Sequence, residues 1–214
     1  MIQAVLFDLD GTLADTALDL GGTLNDILRA RGLPEIPVSA IRPLAGHGVS
    51  GMLKIAGITP EHPDFSALRE AYLNRYQQRY ADETVLFDGV NTLIAELVRR
   101  RIRWGIVTNK NARFTDLLVP RLGFISPPET VVSGDTCPEP KPSPQPLLHA
   151  CRQLDTAPEH TIYVGDALRD MQAARNAGMT AVLADWGYIA DTDDISQWPS
   201  DRRIGSPLEV LDLL

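Results

Sequence analysis

Only two cysteines occur in the 214 residues. Cys137 and Cys151 lack the close Cys-x-x-Cys spacing of a zinc or redox pair, which argues against a thiolate metal site and a disulfide-stapled scaffold. No apolar stretch approaches the roughly 20 residues that span a bilayer, so no membrane partner is expected. Basic runs are equally scarce. The single one, Arg99-Arg100-Arg101, ends an apolar-periodic helix, where cations complement the C-terminal dipole. With a formal net charge of -8, this argues against nucleic acid as a partner. Met1-Ile2-Gln3 leads straight into an apolar strand and leaves no room for a signal peptide, so a reduced, cytoplasmic chain is the expectation. What is present fits a globular protein: 44% hydrophobic residues with mixed charges. The length suits one large domain, or one domain with a smaller insertion.

The most informative run is Ala4-Val5-Leu6-Phe7-Asp8-Leu9-Asp10-Gly11-Thr12-Leu13. A short apolar strand emerges into a Gly-Thr turn, and alternation points both carboxylates to one side. Like charges held that close repel and call for a cation or a shared proton. A hard divalent ion such as Mg2+ meets that need and keeps positions open for phosphate oxygens. From the pair alone a second reading stays open, an acidic turn that merely ends a strand.

Further candidates recur at the ends of later apolar runs. Ile102–Val107 ends in Thr108-Asn109-Lys110, and Thr161–Gly165 ends in Asp166, with Asp170 four residues on. Between them lies Lys141, flanked by prolines. Residues at the carboxyl ends of parallel strands converge on one site. Phosphate-ester cleavage has a use for each: an aspartate as nucleophile, and a second carboxylate to give and take the proton. The Thr108 hydroxyl, the Asn109 amide and the Lys141 charge suit phosphoryl oxygens, and Asp166 with Asp170 suits a metal shell. Taken singly, each also reads as a turn former, a loop charge or a helix cap.

As a set, Asp8-Leu9-Asp10-Gly11-Thr12, Thr108-Asn109-Lys110, Lys141-Pro142 and Gly165-Asp166-Ala167-Leu168-Arg169-Asp170 resemble the four motifs of the haloacid dehalogenase superfamily, in order and across nearly the whole chain. The resemblance implies Asp8 as nucleophile, Asp10 as general acid/base, and Thr108 and Lys141 as phosphate ligands. It also implies Mg2+ held by Asp8, the Asp10 carbonyl and Asp166, with Asp170 in support. An aspartate at position 10 points to a phosphatase or phosphomutase over a dehalogenase. The implied substrate is a small phosphorylated metabolite, and a monomer or homodimer is expected.

After Thr12 helical periodicity runs for roughly seventy residues. Leu20, Leu24, Ile27, Leu28 and Arg31 outline one helix closed by Gly32-Leu33-Pro34, and Phe65, Leu68, Tyr72, Tyr76 and Tyr80 outline another. From Asp88-Gly89 onward helices (90–101, 112–122, 144–154) alternate with strands (102–108, 130–134, 161–165, 180–184). That alternation predicts an α/β fold, a doubly wound, Rossmann-like parallel sheet, with a small all-helical cap inserted after the first strand. The core takes residues 1–15 and 85–214 and the cap 16–84; the resemblance agrees, since one class of the superfamily carries such a cap. Arg42-Pro43-Leu44-Ala45-Gly46-His47-Gly48-Val49-Ser50-Gly51 reads as a connector between two cap helices. As a loop dipping into the site, it makes Arg42, Gly46 and His47 substrate selectors; as a plain glycine-rich link, it leaves His47 on the surface. Leu86-Phe87-Asp88-Gly89, Trp104–Lys110, Arg113-Phe114 and Asp185-Trp186-Gly187-Tyr188-Ile189 are similar to phosphoglycolate phosphatases and to N-acetylmuramic acid 6-phosphate phosphatases. The expectation is therefore a phosphoglycolate phosphatase-like enzyme. The alternatives are an N-acetylmuramic acid 6-phosphate phosphatase and a sugar phosphomutase that returns the phosphoryl group to a sugar.

Overall fold

Apolar runs that are buried from end to end build the centre of the computed structural model, which describes residues 1–214. Strand β1 (Ala4–Phe7) has all four residues buried, as a parallel strand covered on both faces requires. Its neighbours are β4 (Arg103–Val107) on one side and β6 (Thr161–Gly165) on the other, both parallel to it. With β5 (Thr130–Val132), β7 (Thr180–Ala184) and β8 (Arg202–Ile204) the sheet order is β5-β4-β1-β6-β7-β8, all pairs parallel. Alternation divides β1 between two cores. Val5 and Phe7 face one, with Trp104 and Ile106, whereas Ala4 and Leu6 face the other, with Tyr163 and Leu147.

Helices cover both faces. α5 (Val90–Arg99) buries Val90, Leu93, Ile94 and Leu97, the i, i+3, i+4, i+7 stripe of an amphipathic helix. α7 (Gln145–Leu154) does the same with Leu147, Ala150, Cys151 and Leu154, so Cys151 packs in the core. α8 (Leu168–Ala177) ends on Gly178 at φ +76, the left-handed cap that glycine adopts without a Cβ penalty. α6 (Ala112–Leu118) is shorter than its periodicity predicts. Pro120 gives no N–H to continue it, and the chain tightens into a 3-10 turn over Val119–Arg121. β8 escapes sequence reading because two of its three residues are exposed.

Between β2 (Ala14–Asp15) and β3 (Val85–Leu86), which pair antiparallel, the chain is helical wherever it is regular. α1 (Ala17–Ala30), α2 (Val38–Ile41), a 3-10 helix (Arg42–His47), α3 (Gly48–Ile55) and α4 (Phe65–Arg79) make up this insertion. α1 packs on α4, where the Tyr72 hydroxyl donates to the Leu20 carbonyl at 2.9 Å. Asp19, fully buried in α1, accepts from the Thr84 N–H (2.9 Å), the Thr84 hydroxyl (2.7 Å) and the Glu83 N–H (3.1 Å). The returning chain is thereby fixed to the outgoing helix. The stretch from Arg42 to Gly51, expected as a connector, is the 3-10 helix and the first turn of α3, joined at Gly48 with φ +67.

Candidate active site

Because β1 lies between β4 and β6, the residues that leave their carboxyl ends meet. Asp8 follows β1, Thr108 follows β4 and Asp166 follows β6. The Asp8 N–H donates to the Val164 carbonyl at 2.9 Å, and Asp8 Oδ1 accepts from the Leu9 N–H at 2.8 Å. Lys141 Nζ sits 3.1 Å from the same Oδ1 and 2.7 Å from Asp170 Oδ1, with its side chain 0% exposed. It also donates to the Val107 carbonyl (2.9 Å) and to the Tyr163 hydroxyl (2.6 Å). A solvated loop charge would show none of this. Asn109 fixes the backbone of Lys141 from both sides: its Nδ2 donates to the Lys141 carbonyl at 2.9 Å, and its Oδ1 accepts the Lys141 N–H at 3.0 Å. The Asn109 side chain therefore positions the lysine.

Asp166 Oδ1 accepts from the Thr12 hydroxyl (3.0 Å) and Oδ2 from the Tyr188 N–H (2.7 Å). A Cβ at either Gly11 or Gly187 would overlap this carboxylate, so both glycines are needed for the close approach. Asp170 Oδ2 accepts the Ala167 N–H at 3.0 Å. One carboxylate oxygen from each of Asp8, Asp166 and Asp170 lies within 4.8 Å of the others, and all three residues are buried. Burial, then the charges of Asp8 and Asp170, push Asp166 up to about 7. Burial likewise raises Asp8, against the pull of Lys141. Burial acts in the same direction on Asp170, but Lys141 and Arg169 outweigh it and hold Asp170 below the usual carboxylate range. Three hard oxygen donors, two of them destabilised as anions, suit a small divalent cation such as Mg2+.

The Asp10 carboxylate stands outside that group. Its Oδ1 accepts from the Thr16 hydroxyl at 2.7 Å and from Lys110 Nζ at 2.9 Å, with Oδ2 3.1 Å from the same ammonium. Burial alone would lower Lys110; Asp10, with Tyr76 4.8 Å away across the cation–ring contact, leaves it above the usual lysine range. A cavity of about 570 Å³ opens above these groups, between the sheet and the insertion. Asp8, Asp10, Thr108, Asn109, Lys110 and Arg169 line it from the sheet side, and Gly46, His47, Arg69 and Tyr72 from the insertion. Gly46 and His47 thus reach the cavity. Arg42, expected beside them, turns away: its Nη1 donates to both Asp15 oxygens (2.9 and 2.7 Å), and its guanidinium lies 5.5 Å from the Tyr188 ring centroid.

Sequence reasoning missed four contributors: Lys110 as the partner of Asp10, Arg169 with Nη2 3.8 Å from Asp8 Oδ2, Arg69, and Tyr188. Three of them carried a local signal, since Lys110, Arg169 and Tyr188 lie inside runs already singled out. Arg69 carried none.

The sequence matches the haloacid dehalogenase-like hydrolases over residues 5–184. The chain belongs to this family. It is 36% identical over 214 residues to an N-acetylmuramic acid 6-phosphate phosphatase of Pseudomonas aeruginosa, covering 100% of this chain and 95% of that protein. It is 40% identical over 208 residues to a phosphoglycolate phosphatase of Xanthomonas campestris, covering 97% and 94%. Among solved structures, CbbY from Rhodobacter sphaeroides in complex with phosphate superposes with a TM-score of 0.75 at 28% identity, covering 98% of this chain and 96% of that one. A haloacid dehalogenase-like hydrolase from Streptococcus pneumoniae superposes with a TM-score of 0.83 at 25% identity, covering 99% and 98%. These structural likenesses agree with the parallel sheet flanked by helices.

Proposed function

We propose that the protein is a Mg2+-dependent phosphatase that hydrolyses a small phosphate monoester through an aspartyl phosphate on Asp8. The observation that carries this reading is the placement of Asp8. Its Oδ1 is held by Lys141 and the Leu9 N–H, while Oδ2 takes part in no hydrogen bond and has Arg169 Nη2 at 3.8 Å. In the first step Asp8 Oδ2 forms a bond to phosphorus as the bond to the leaving oxygen breaks, and Asp10 donates the proton that oxygen needs. In the second, water attacks phosphorus, its proton passes to Asp10, and the phosphate leaves with the Asp8 carboxylate restored. Lys110 Nζ, 2.9 Å from Asp10 Oδ1, holds that carboxylate in place for both proton transfers. Lys141 and Thr108 bind phosphoryl oxygens, and Asn109 keeps Lys141 in place. Asp8, Asp166, the Asp10 carbonyl and, in support, Asp170 would hold the metal, which when bound neutralises charge on the phosphoryl oxygens. Residues 16–84 serve as a cap over the core of 1–15 and 85–214, with Gly46 and His47 facing the leaving group.

The N-acetylmuramic acid 6-phosphate phosphatase and the phosphoglycolate phosphatase compared above are 36% and 40% identical to this chain, and both names describe monoester hydrolysis. The test is release of inorganic phosphate with Mg2+ and with a chelator. Wild-type protein turns over only with the metal, and Asp8→Asn folds normally but releases no phosphate. An Asp8→Asn preparation as active as wild type, or isomerisation of a sugar phosphate without phosphate release, would overturn the assignment.

A further inference from the structure

Lys110, Lys141 and Arg169 are the cations on the sheet side of the site, and the two lysines are fully engaged. Lys110 Nζ is held by both Asp10 oxygens at 2.9 and 3.1 Å. Lys141 Nζ meets Asp8, Asp170, the Val107 carbonyl and the Tyr163 hydroxyl with its three N–H groups, so any phosphoryl oxygen it takes displaces a partner. Arg169 makes no hydrogen bond within the protein. Its Nε is buried without a partner, and Nη2 comes only to 3.8 Å from Asp8 Oδ2. Burying an N–H unpaired is costly, so such a group calls for a partner that arrives with the ligand.

The place of Arg169 in the chain points the same way. It is the second residue of α8, in the first turn, where the helix dipole disfavours a cation and favours an anion. Its side chain is 24% exposed and lines the cavity. A Cβ at Gly46 would stand 3.5 Å from Nη2, so the guanidinium lies between the nucleophile and the insertion. Asp8 Oδ2 is the oxygen that attacks, and the non-bridging oxygens of a phosphoryl group bonded to it stand one atom further out. That carries them toward a guanidinium whose nearest nitrogen is 3.8 Å from Oδ2 and whose donors are unused. A planar fork of N–H groups matches two such oxygens.

We infer that Arg169 is a catalytic residue that clamps the phosphoryl group during its transfer to Asp8, donating hydrogen bonds to the non-bridging oxygens. This rests on the phosphatase reading above. As phosphorus closes on Oδ2 and its bond to the leaving oxygen breaks, the contact shortens; Arg169 neither gives nor takes a proton, which remains the work of Asp10. An interaction that tightens toward the transition state acts on kcat. Removing a positive charge beside Asp8 also alters metal affinity, so the test is made at saturating Mg2+. Arg169→Ala lowers kcat by about 100-fold or more. The factor is the same for p-nitrophenyl phosphate and for phenyl phosphate, whose leaving groups differ in their need for a proton. Orthovanadate, which takes up the five-coordinate geometry of the transfer, inhibits the variant correspondingly less. Arg169→Lys keeps the charge without the fork and stays at least about tenfold below wild type; it carries the test by itself if Arg169→Ala does not fold. A kcat of Arg169→Ala within about tenfold of wild type, a loss confined to one leaving group, or unchanged inhibition by orthovanadate overturns the inference. So does full activity in Arg169→Lys, which would leave Arg169 a mere counter-charge to the carboxylates. Failure of wild type on both esters overturns the phosphatase reading instead.

Discussion

Replacing Lys141 with methionine keeps a linear apolar stem and deletes one buried positive charge. The ammonium it removes touches two carboxylates, Asp8 at 3.1 Å and Asp170 at 2.7 Å, where no water can take its place. Breaking one side of a buried pair costs about 3–5 kcal/mol, because the partner charge remains without compensation. For a chain of this size each kcal/mol lowers Tm by roughly 2–4 °C, so a loss of about 6–20 °C is expected near neutral pH. The pH dependence has a definite sign. Asp170 is held below its ordinary value in the folded protein, against the effect of its burial, by Lys141 and Arg169. Its stabilisation is therefore complete above the carboxylate range and is lost as pH falls through it. Lys141→Met removes most of that contribution, so the gap between wild type and variant is widest near neutrality and narrows in acid. Urea unfolding followed by tryptophan fluorescence, in chelator at about pH 7 and about pH 3, measures both gaps. A neutral-pH gap below about 1 kcal/mol, the worth of an exposed pair, would refute the reasoning. So would a gap that widens in acid.

Asp166, raised to about 7 by burial and then by Asp8 and Asp170, must give up a proton to hold a cation. Apparent Mg2+ affinity should therefore fall by up to about tenfold per pH unit below that value, read by metal titration of activity or by calorimetry. Because the folded value of Asp166 is above the unfolded one, the same carboxyl withdraws stability from the metal-free protein as pH rises from about 4 to about 7, and thermal melts with and without Mg2+ should diverge most at the alkaline end. Gly187→Ala places a methyl group against the Asp166 carboxylate. It should weaken Mg2+ dependence by about tenfold while costing the fold no more than about 1–3 kcal/mol, as steady-state kinetics at varied Mg2+ and a melt will show.

The parts of the site that were legible in the sequence are those whose chemistry is local. Asp8 and Asp10 announce themselves by spacing at a strand end, and Asp166 with Asp170 by their position at the start of a helix. Lys141 was legible only as a member of a set. Its flanking prolines give no hint that Asn109 grips its backbone or that four groups surround its ammonium. The ion pair between Lys110 and Asp10 spans 100 residues, and the contact from the Tyr188 N–H to Asp166 spans 22. Such pairings leave no periodic trace. Arg42 illustrates the converse. A cation in a glycine-rich stretch reads as a substrate selector until the fold supplies Asp15 as a nearer anion. In the fold, the long buried strands and amphipathic helices were readable from their periods. β8, whose Arg202 and Arg203 face solvent, and the two-residue strands β2 and β3 were not.

Tyr188 joins the carboxylate cluster to the start of the helical insertion. Its N–H binds Asp166 Oδ2, while its phenol oxygen receives the N–H groups of Thr16 (2.7 Å) and Ala17 (2.9 Å) and donates to Asp15 (3.0 Å). Thr16 and Ala17 are where the helical insertion departs. Any swing of the helices about that point must either drag the residue that steadies Asp166 or give up hydrogen bonds worth about 0.5–1.5 kcal/mol each. Occupancy of the carboxylate cluster and the tilt of the helices are thus linked variables. By reciprocity, whatever ligand favours one tilt must tighten or loosen the ion by the same factor that the ion alters the tilt.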